Sequence, residues 1–182
     1  QKIAVNESPN GIPLIFGRDV IHGHRTAYPN ALASACSFNA ELTEKCYRNV
    51  AKEAVNDYIH WTFSPMIDLG RDPRWGRIVE GPGEDPYLGA VMAESMVKGF
   101  QGDDLSNPDS LVACAKHYIG YGASEGGRDY HRTEISDYSL YNYYVPAYRA
   151  AFDAGCGTAM SSFNDINGQP VTSSKKYLTD IL

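Results

Sequence analysis

The stretch 111–122, LVACAKHYIGYG, stays apolar until it reaches Lys116-His117, and two glycines follow. A buried charge must be paired or bound to something. An ammonium and an imidazole side by side supply donors and a ring nitrogen whose role can change, a set suited to the hydroxyls of a polyol. Similar endings recur along the chain. An apolar run at 12–16 leads to Arg18-Asp19, one at 59–66 to Asp68 and Arg71, and one at 158–162 to Phe163-Asn164. One such ending means little, but four suggest a polar rim shared by one end of a sheet. Asp68, Asn164 and Asp165 read equally as rim groups or as ordinary loop polarity.

The loop RDPRWGR adds three arginines, whose planar forks suit vicinal hydroxyls and carboxylates. Arg71, Asp72 and Arg74 are assigned to a salt-bridged loop scaffold and Arg77 to the ligand. His22-Gly23-His24 lacks a third metal ligand, so these histidines are expected to orient a loop through hydrogen bonds, and no metal is expected. GYGASEGG is glycine-rich but does not open a helix, so no phosphate cradle and no cofactor are implied.

These residues need elements to hold them. Period-2 and continuous apolar runs predict strands at 12–16, 59–66, 111–119 and 158–164. Helices are predicted at 40–57, with Asn39 as N-cap and Leu42, Cys46, Val50 and Ala54 on the inner face, and at 86–100, opened by Asp85-Pro86. A third helical region starts at Ser136, is kinked by Pro146 and stops at Gly155; a fourth opens near Ser173. About four βα units in alternation imply an α/β fold, either an open parallel sheet or a TIM-type barrel.

Bulk composition narrows the function. With 182 residues, 43% of them hydrophobic, the chain can build one core. A net charge of −6 argues against a nucleic-acid partner. No run approaches ~20 apolar residues, so no membrane span is predicted. Four cysteines lie too far apart for a metal clip; Cys46 and Cys114 are expected as buried thiols, and disulfides stay open. Gln1 opens the chain, which suggests processing or excision from a longer polypeptide.

The segments GRDVIHGHRTAYPNALASACSFN, DLGRDPRWGRIVEGPGEDPYL, KHYIGYGASEGGRDY and GTAMSSFNDINGQPVTS resemble the N-terminal barrel domain of glycoside hydrolase family 3 over nearly the whole chain. The resemblance implies an incomplete (β/α)8 TIM-type barrel over residues 1–182, cut before the strand that carries the nucleophile. It implies the glycone-binding portion of an exo-acting, retaining β-glucosidase, inactive as the isolated chain. A β-xylosidase or β-N-acetylglucosaminidase is the alternative within the family, and a non-catalytic sugar-binding or interaction module the alternative outside it. By the same resemblance, Asp19 grips the far hydroxyls of the terminal sugar, Arg77 and Lys116-His117 hold the rest of it, and Met160 and Phe163 line the pocket. Phe163 replaces a tyrosine common in relatives. Both catalytic carboxyls are expected outside the chain. One internal candidate is Asp129-Tyr130-His131, shaped like the acid/base loop of the N-acetylglucosaminidase branch, with His131 read as an ordinary loop histidine. The expected partners are a β-linked glucoside or oligosaccharide and the remainder of the enzyme, or another copy through self-association. A secreted or periplasmic compartment is favoured over the cytoplasm.

Overall fold

Parallel strands follow one another across the molecule in chain order. The computed structural model describes residues 1–182. β1 (Gly17–Arg18) pairs with β2 (Trp61–Thr62). Bridges Trp61–Val112 and Met66–Lys116 join β2 to β3 (Cys114–Tyr118). β3 pairs with β4 (Thr158–Ser161). All these pairings are parallel, and helices lie between successive strands, so the fold is α/β.

The strands are shorter than the apolar runs that predict them. Residues 12–16 form no strand. Their side chains are exposed, and ladder bonding starts only where His60 N and Trp61 N reach Phe16 O. β2 breaks after Thr62 because Pro65 has no N–H to give, and pairing resumes at Met66. β4 ends at Ser161 rather than at 164.

Helices follow their caps closely. Asn39 Oδ1 accepts from Leu42 N at 2.9 Å and opens α3 (Ala40–Asn56), the third helix after α1 (Lys2–Glu7) and α2 (Ala31–Cys36), two short helices the sequence pattern did not predict. The buried face of α3 is Thr43, Tyr47, Val50, Ala51 and Ala54. Leu42 is exposed and Cys46 half-buried, which corrects the predicted inner face by one position: the stripe runs through Tyr47 because its ring packs edge-on to Phe100, centroids 4.9 Å apart. Asp85 Oδ1 accepts from Leu88 N at 2.7 Å and starts α4 (Pro86–Gln101). Met92, Ala93, Met96, Val97 and Phe100 of α4 are all fully buried between α3 and α6 (Val145–Asp153).

The predicted kink at Pro146 takes a particular form. α5 (Asp137–Ser139) runs into a π turn, Leu140–Tyr144, and then α6, with the proline in its first turn. The wider turn passes the residue whose N–H is missing. The last segment, Lys176–Ile181, is also a π turn. A hairpin the sequence reading passed over, β5 (Asp165–Ile166) and β6 (Gln169–Pro170), turns on Asn167-Gly168 with φ of 54° and 80°. Asn-Gly at such a turn is the strongest short-range hairpin signal. All four cysteines are free; Cys114 is buried and Cys46 is only half-buried.

Candidate functional site

Lys116 sits inside β3, 2% exposed. Its Nζ donates to Asp19 Oδ2 at 2.6 Å. Asp19 follows β1, and its carboxylate is 46% exposed. The buried ammonium therefore has its counter-charge and still holds spare protons for a ligand.

His117 is set apart by a slip in the ladder. Lys116 pairs with Met160 and Tyr118 with Ser161, so His117 has no strand partner. Such an extra residue re-aims its side chain. Its backbone N donates to Asp68 Oδ2 at 2.9 Å, and its Nδ1 lies 2.9 Å from the same oxygen.

Arg77 leads into a 3-10 turn, Ile78–Glu80, and forks onto Glu80 with bonds of 2.7 and 2.9 Å. Those bonds hold the Glu80 carboxyl below the usual range; burial opposes them, while the charges of Arg77 and Lys116 add to them. Arg77 lies over the Tyr121 ring, and that ring meets His117, the neighbour of Lys116, so both ion pairs flank one open hollow.

Tyr121 is the hub of that hollow. Its ring, fully buried, lies 5.1 Å from His117, 5.3 Å from Trp75 and 5.4 Å from Phe163, and the Arg77 guanidinium sits 5.7 Å from its centre. Its hydroxyl donates to Asp129 Oδ1, which also accepts from Trp75 Nε1 at 2.9 Å. Burial, together with the Asp129 carboxylate, pushes the Tyr121 hydroxyl up. Burial also pushes the Asp129 carboxyl up, but its bonds from Tyr121 and Trp75 outweigh this and leave it below the usual range. Gly122 makes the hub possible: a Cβ there would stand 2.3 Å from Leu69 O. Only a glycine lets this turn press against the loop that carries Trp75 and Arg77.

The structure brings Asp19, Arg77, Lys116 and His117 to this one hollow. Met160 flanks it, half-buried in β4 opposite Lys116. Phe163 is 53% exposed, 5.6 Å from the His117 ring and 5.0 Å from Tyr130, giving an open aromatic face. Asp129 is spent on Tyr121 and Trp75. His131 is half-buried nearby, and its backbone N donates to Arg128 O. Arg74 pairs with Asp72 at 2.7 Å, and Arg71 lies over the Tyr143 ring, so both face away from the hub. Asn164 is buried and donates to Thr133 Oγ1 at 3.1 Å, anchoring the hairpin. Sequence reasoning missed Tyr121, Trp75 and Glu80; the i,i+3 spacing of Arg77 and Glu80 was the available signal.

The loop after β1 is clamped to α3. His24 Nε2 lies 2.7 Å from Asp57 Oδ2, Arg25 forks onto Asp57 with two bonds of 2.7 Å, and Thr26 Oγ1 donates to Glu53 at 2.6 Å. His22 Nδ1 lies 3.1 Å from Tyr28 O. Open clefts elsewhere include an apolar groove of about 400 Å³ by Tyr118, Tyr148 and Phe152, and a polar one of about 560 Å³ by Arg71, Glu125 and Glu134. The hollow around Tyr121 is an open shelf.

A parallel α/β sheet whose strands end in cations, carboxylates and aromatic faces defines an α/β domain with a polar rim fit for a ligand. The chain belongs to glycosyl hydrolase family 3, whose N-terminal domain profile matches residues 1–182. It is 45% identical over 171 residues to the periplasmic β-glucosidase of Salmonella typhimurium, covering 94% of this chain and 22% of that enzyme. It is 36% identical to a putative β-xylosidase of Formosa agariphila, covering 100% of this chain and 25% of that protein. Among solved structures, a mutant β-glucosidase from Listeria innocua in complex with laminaribiose superposes with a TM-score of 0.97 at 44% identity, covering 100% of this chain and 25% of that one. The chain thus spans about a quarter of the length of the proteins it matches. No helix is long and apolar enough to cross a membrane.

Proposed function

We propose that residues 1–182 form the glycone-binding part of an exo-acting, retaining β-glucosidase that removes terminal β-D-glucosyl residues. On this reading the four parallel strands are about half of a (β/α)8 barrel, and the remainder of the enzyme closes it. One observation carries the proposal: two ion pairs, Lys116–Asp19 and Arg77–Glu80, and the His117 imidazole surround a single aromatic hub. Lys116 and Arg77 donate to sugar hydroxyls, Asp19 accepts from the hydroxyls furthest from the scissile bond, and Met160 and Phe163 wall the ring. Hydrogen bonds to charged groups are worth about 1.5–3 kcal/mol each, enough to fix one sugar in one orientation.

Retaining hydrolysis needs two carboxyl groups about 5–5.5 Å apart, one protonated to serve as acid. The carboxylates at this rim are unsuited to that work. Asp19 and Glu80 are each ion-paired to a cation, and Asp129 accepts from Trp75 and Tyr121. Nucleophile and acid therefore come from the remainder of the enzyme. β-Xylosidase activity is the second reading, favoured by xylosidases among the relatives. An exported, secreted or periplasmic location agrees with the periplasmic relative.

The test is turnover by the intact enzyme on aryl β-glucoside, β-xyloside and β-N-acetylglucosaminide. The glucoside should be preferred, and the isolated 182-residue chain should be inert on all three. An intact enzyme that binds glucose but hydrolyses none of them would make this a sugar-binding module instead.

A further inference from the structure

Asp68 is 2% exposed, yet its two oxygens take three donors. Oδ2 accepts from the His117 backbone N and faces His117 Nδ1, both at 2.9 Å, and Oδ1 accepts from the Tyr148 hydroxyl at 3.0 Å. Tyr148 comes from α6, across the sheet, and is itself buried. An ionised carboxylate can only accept, so the ring nitrogen facing it carries the proton. On a neutral ring Nε2 is then bare. Lys116 and Arg77 offer only donors. A sugar hydroxyl that accepts from one of them still has its own hydrogen to place. Of the remaining rim acceptors, Glu80 has both oxygens forked by Arg77, and Asp19 gives Oδ2 to Lys116 and keeps its other oxygen for the far hydroxyls, so a hydroxyl beside His117 is left to Nε2.

We propose that Asp68, braced by Tyr148, is a positioning residue that fixes His117 with its proton on Nδ1 and presents Nε2 as a hydrogen-bond acceptor to one glycone hydroxyl. The proposal rests on the glycone-binding reading of the hollow. The ladder slip supplies the aim: with no strand partner, the His117 N–H turns to Asp68, and the ring is held between Tyr121 at 5.1 Å and Phe163 at 5.6 Å. The site then asks of one hydroxyl that it both donate and accept, a demand that fluorine, which only accepts, cannot meet.

Two measurements on the intact enzyme test this. The first is kcat/KM on aryl glucosides in which each hydroxyl in turn is replaced by fluorine. The wild type should lose about 100-fold at one position, the worth of one hydrogen bond to a buried polar group. Asp68→Leu should lose a similar factor on the parent glucoside and almost nothing more from that fluorine. Asp68→Asn, whose amide oxygen can still accept from both His117 donors, should keep the wild-type fluorine penalty. A full fluorine penalty in Asp68→Leu overturns the proposal. The second is neutron diffraction of the wild type, which needs no variant to fold. A deuteron on Nδ1 and none on Nε2 supports the proposal; one on Nε2, or one on each nitrogen, overturns it. Unchanged kcat/KM in His117→Ala would instead remove the glycone-binding reading, whatever the neutron map shows.

Discussion

β3 and β1 each hold one end of the same ion pair, and they could hardly be built more differently. β3 is buried at all five residues, bonded on both sides, and packed by α6, whose Tyr148 ring meets Tyr118 edge-on. β1 is two exposed residues at the edge of the sheet, preceded by Ile12, Leu14, Ile15 and Phe16 at 44–73% exposure. The Lys116 end of the site is therefore set by a core. The Asp19 end is set by a ladder of two residue pairs and by the clamp of His24, Arg25 and Thr26 onto α3. A charged group held by a core costs little to keep in place. One held at an edge depends on whatever covers that edge.

The sharpest way to break this contrast is to empty the core cluster that β3 shares with Phe100. Phe100→Ala should cost about 3–5 kcal/mol in denaturant unfolding, as large aromatic truncations do. If it costs no more than Ile15→Ala on the β1 flank, the two sides do not differ. Next in size, Lys116→Met in the intact enzyme should lower kcat/KM by about 100-fold, since it removes a charged donor, whereas Asp19→Asn should cost only about 10-fold. Equal losses would mean that the two ends are equally fixed.

Gly122→Ala should cost about 1–3 kcal/mol through overpacking against Leu69 O and should weaken glycone binding by displacing Tyr121. A neutral outcome would show that the hub is not wedged. The clamp on the β1 side should respond to acid. Hydrogen bonds from Arg25, then from His24, hold the Asp57 carboxyl at about 2 against an ordinary 3.8. A lowered folded value stabilises above the unfolded one, so the clamp is at full strength above pH ~4 and is lost as pH falls towards 2. Salt should weaken it too, because the pair is exposed. Arg25→Gln should flatten the acid limb of a stability–pH curve. Smallest of all, Ile15→Lys should change the stability of the isolated domain by less than about 0.5 kcal/mol while reducing its self-association in sedimentation, because exposed apolar edges drive association. An isolated domain that is monomeric without that change would remove the reason to regard the β1 flank as an uncovered edge.

The same contrast explains what the sequence disclosed. Caps were legible because they are local: Asn39, Asp85-Pro86 and Gly155 each act within a few residues. The alternation of strands and helices, and so the fold class, was legible from apolar runs. Strand limits were not, since pairing depends on neighbours: 12–16 is as apolar as any strand but has no ladder, and Pro65 interrupts β2. Leu42 shows the same limit, apolar and on the expected period but facing out because Tyr47 claims the contact with Phe100. In the site, charged strand endings pointed to Asp19, Lys116, His117 and Arg77. Tyr121, Trp75 and Glu80 were hidden because their roles come from contacts across the chain. Asp68 could not be told from a loop aspartate until His117 and Tyr148 were seen beside it.

The hairpin turn carries a slow chemical liability. Asn167 Oδ1 accepts from Ile135 N at 3.0 Å and its Nδ2 donates to Ile135 O at 2.9 Å, so one amide staples the end of the Asp129–Tyr130 loop to β5 and β6. An asparagine followed by glycine is also the pair most prone to lose its ammonia through a succinimide. Deamidation here would set a carboxylate against a carbonyl oxygen and release the loop from the hairpin. Stored warm and mildly alkaline, the protein should deamidate at the exposed Asn10-Gly11 pair and, more slowly, at this bonded turn, and only the second loss should loosen the aromatic shelf beside Phe163.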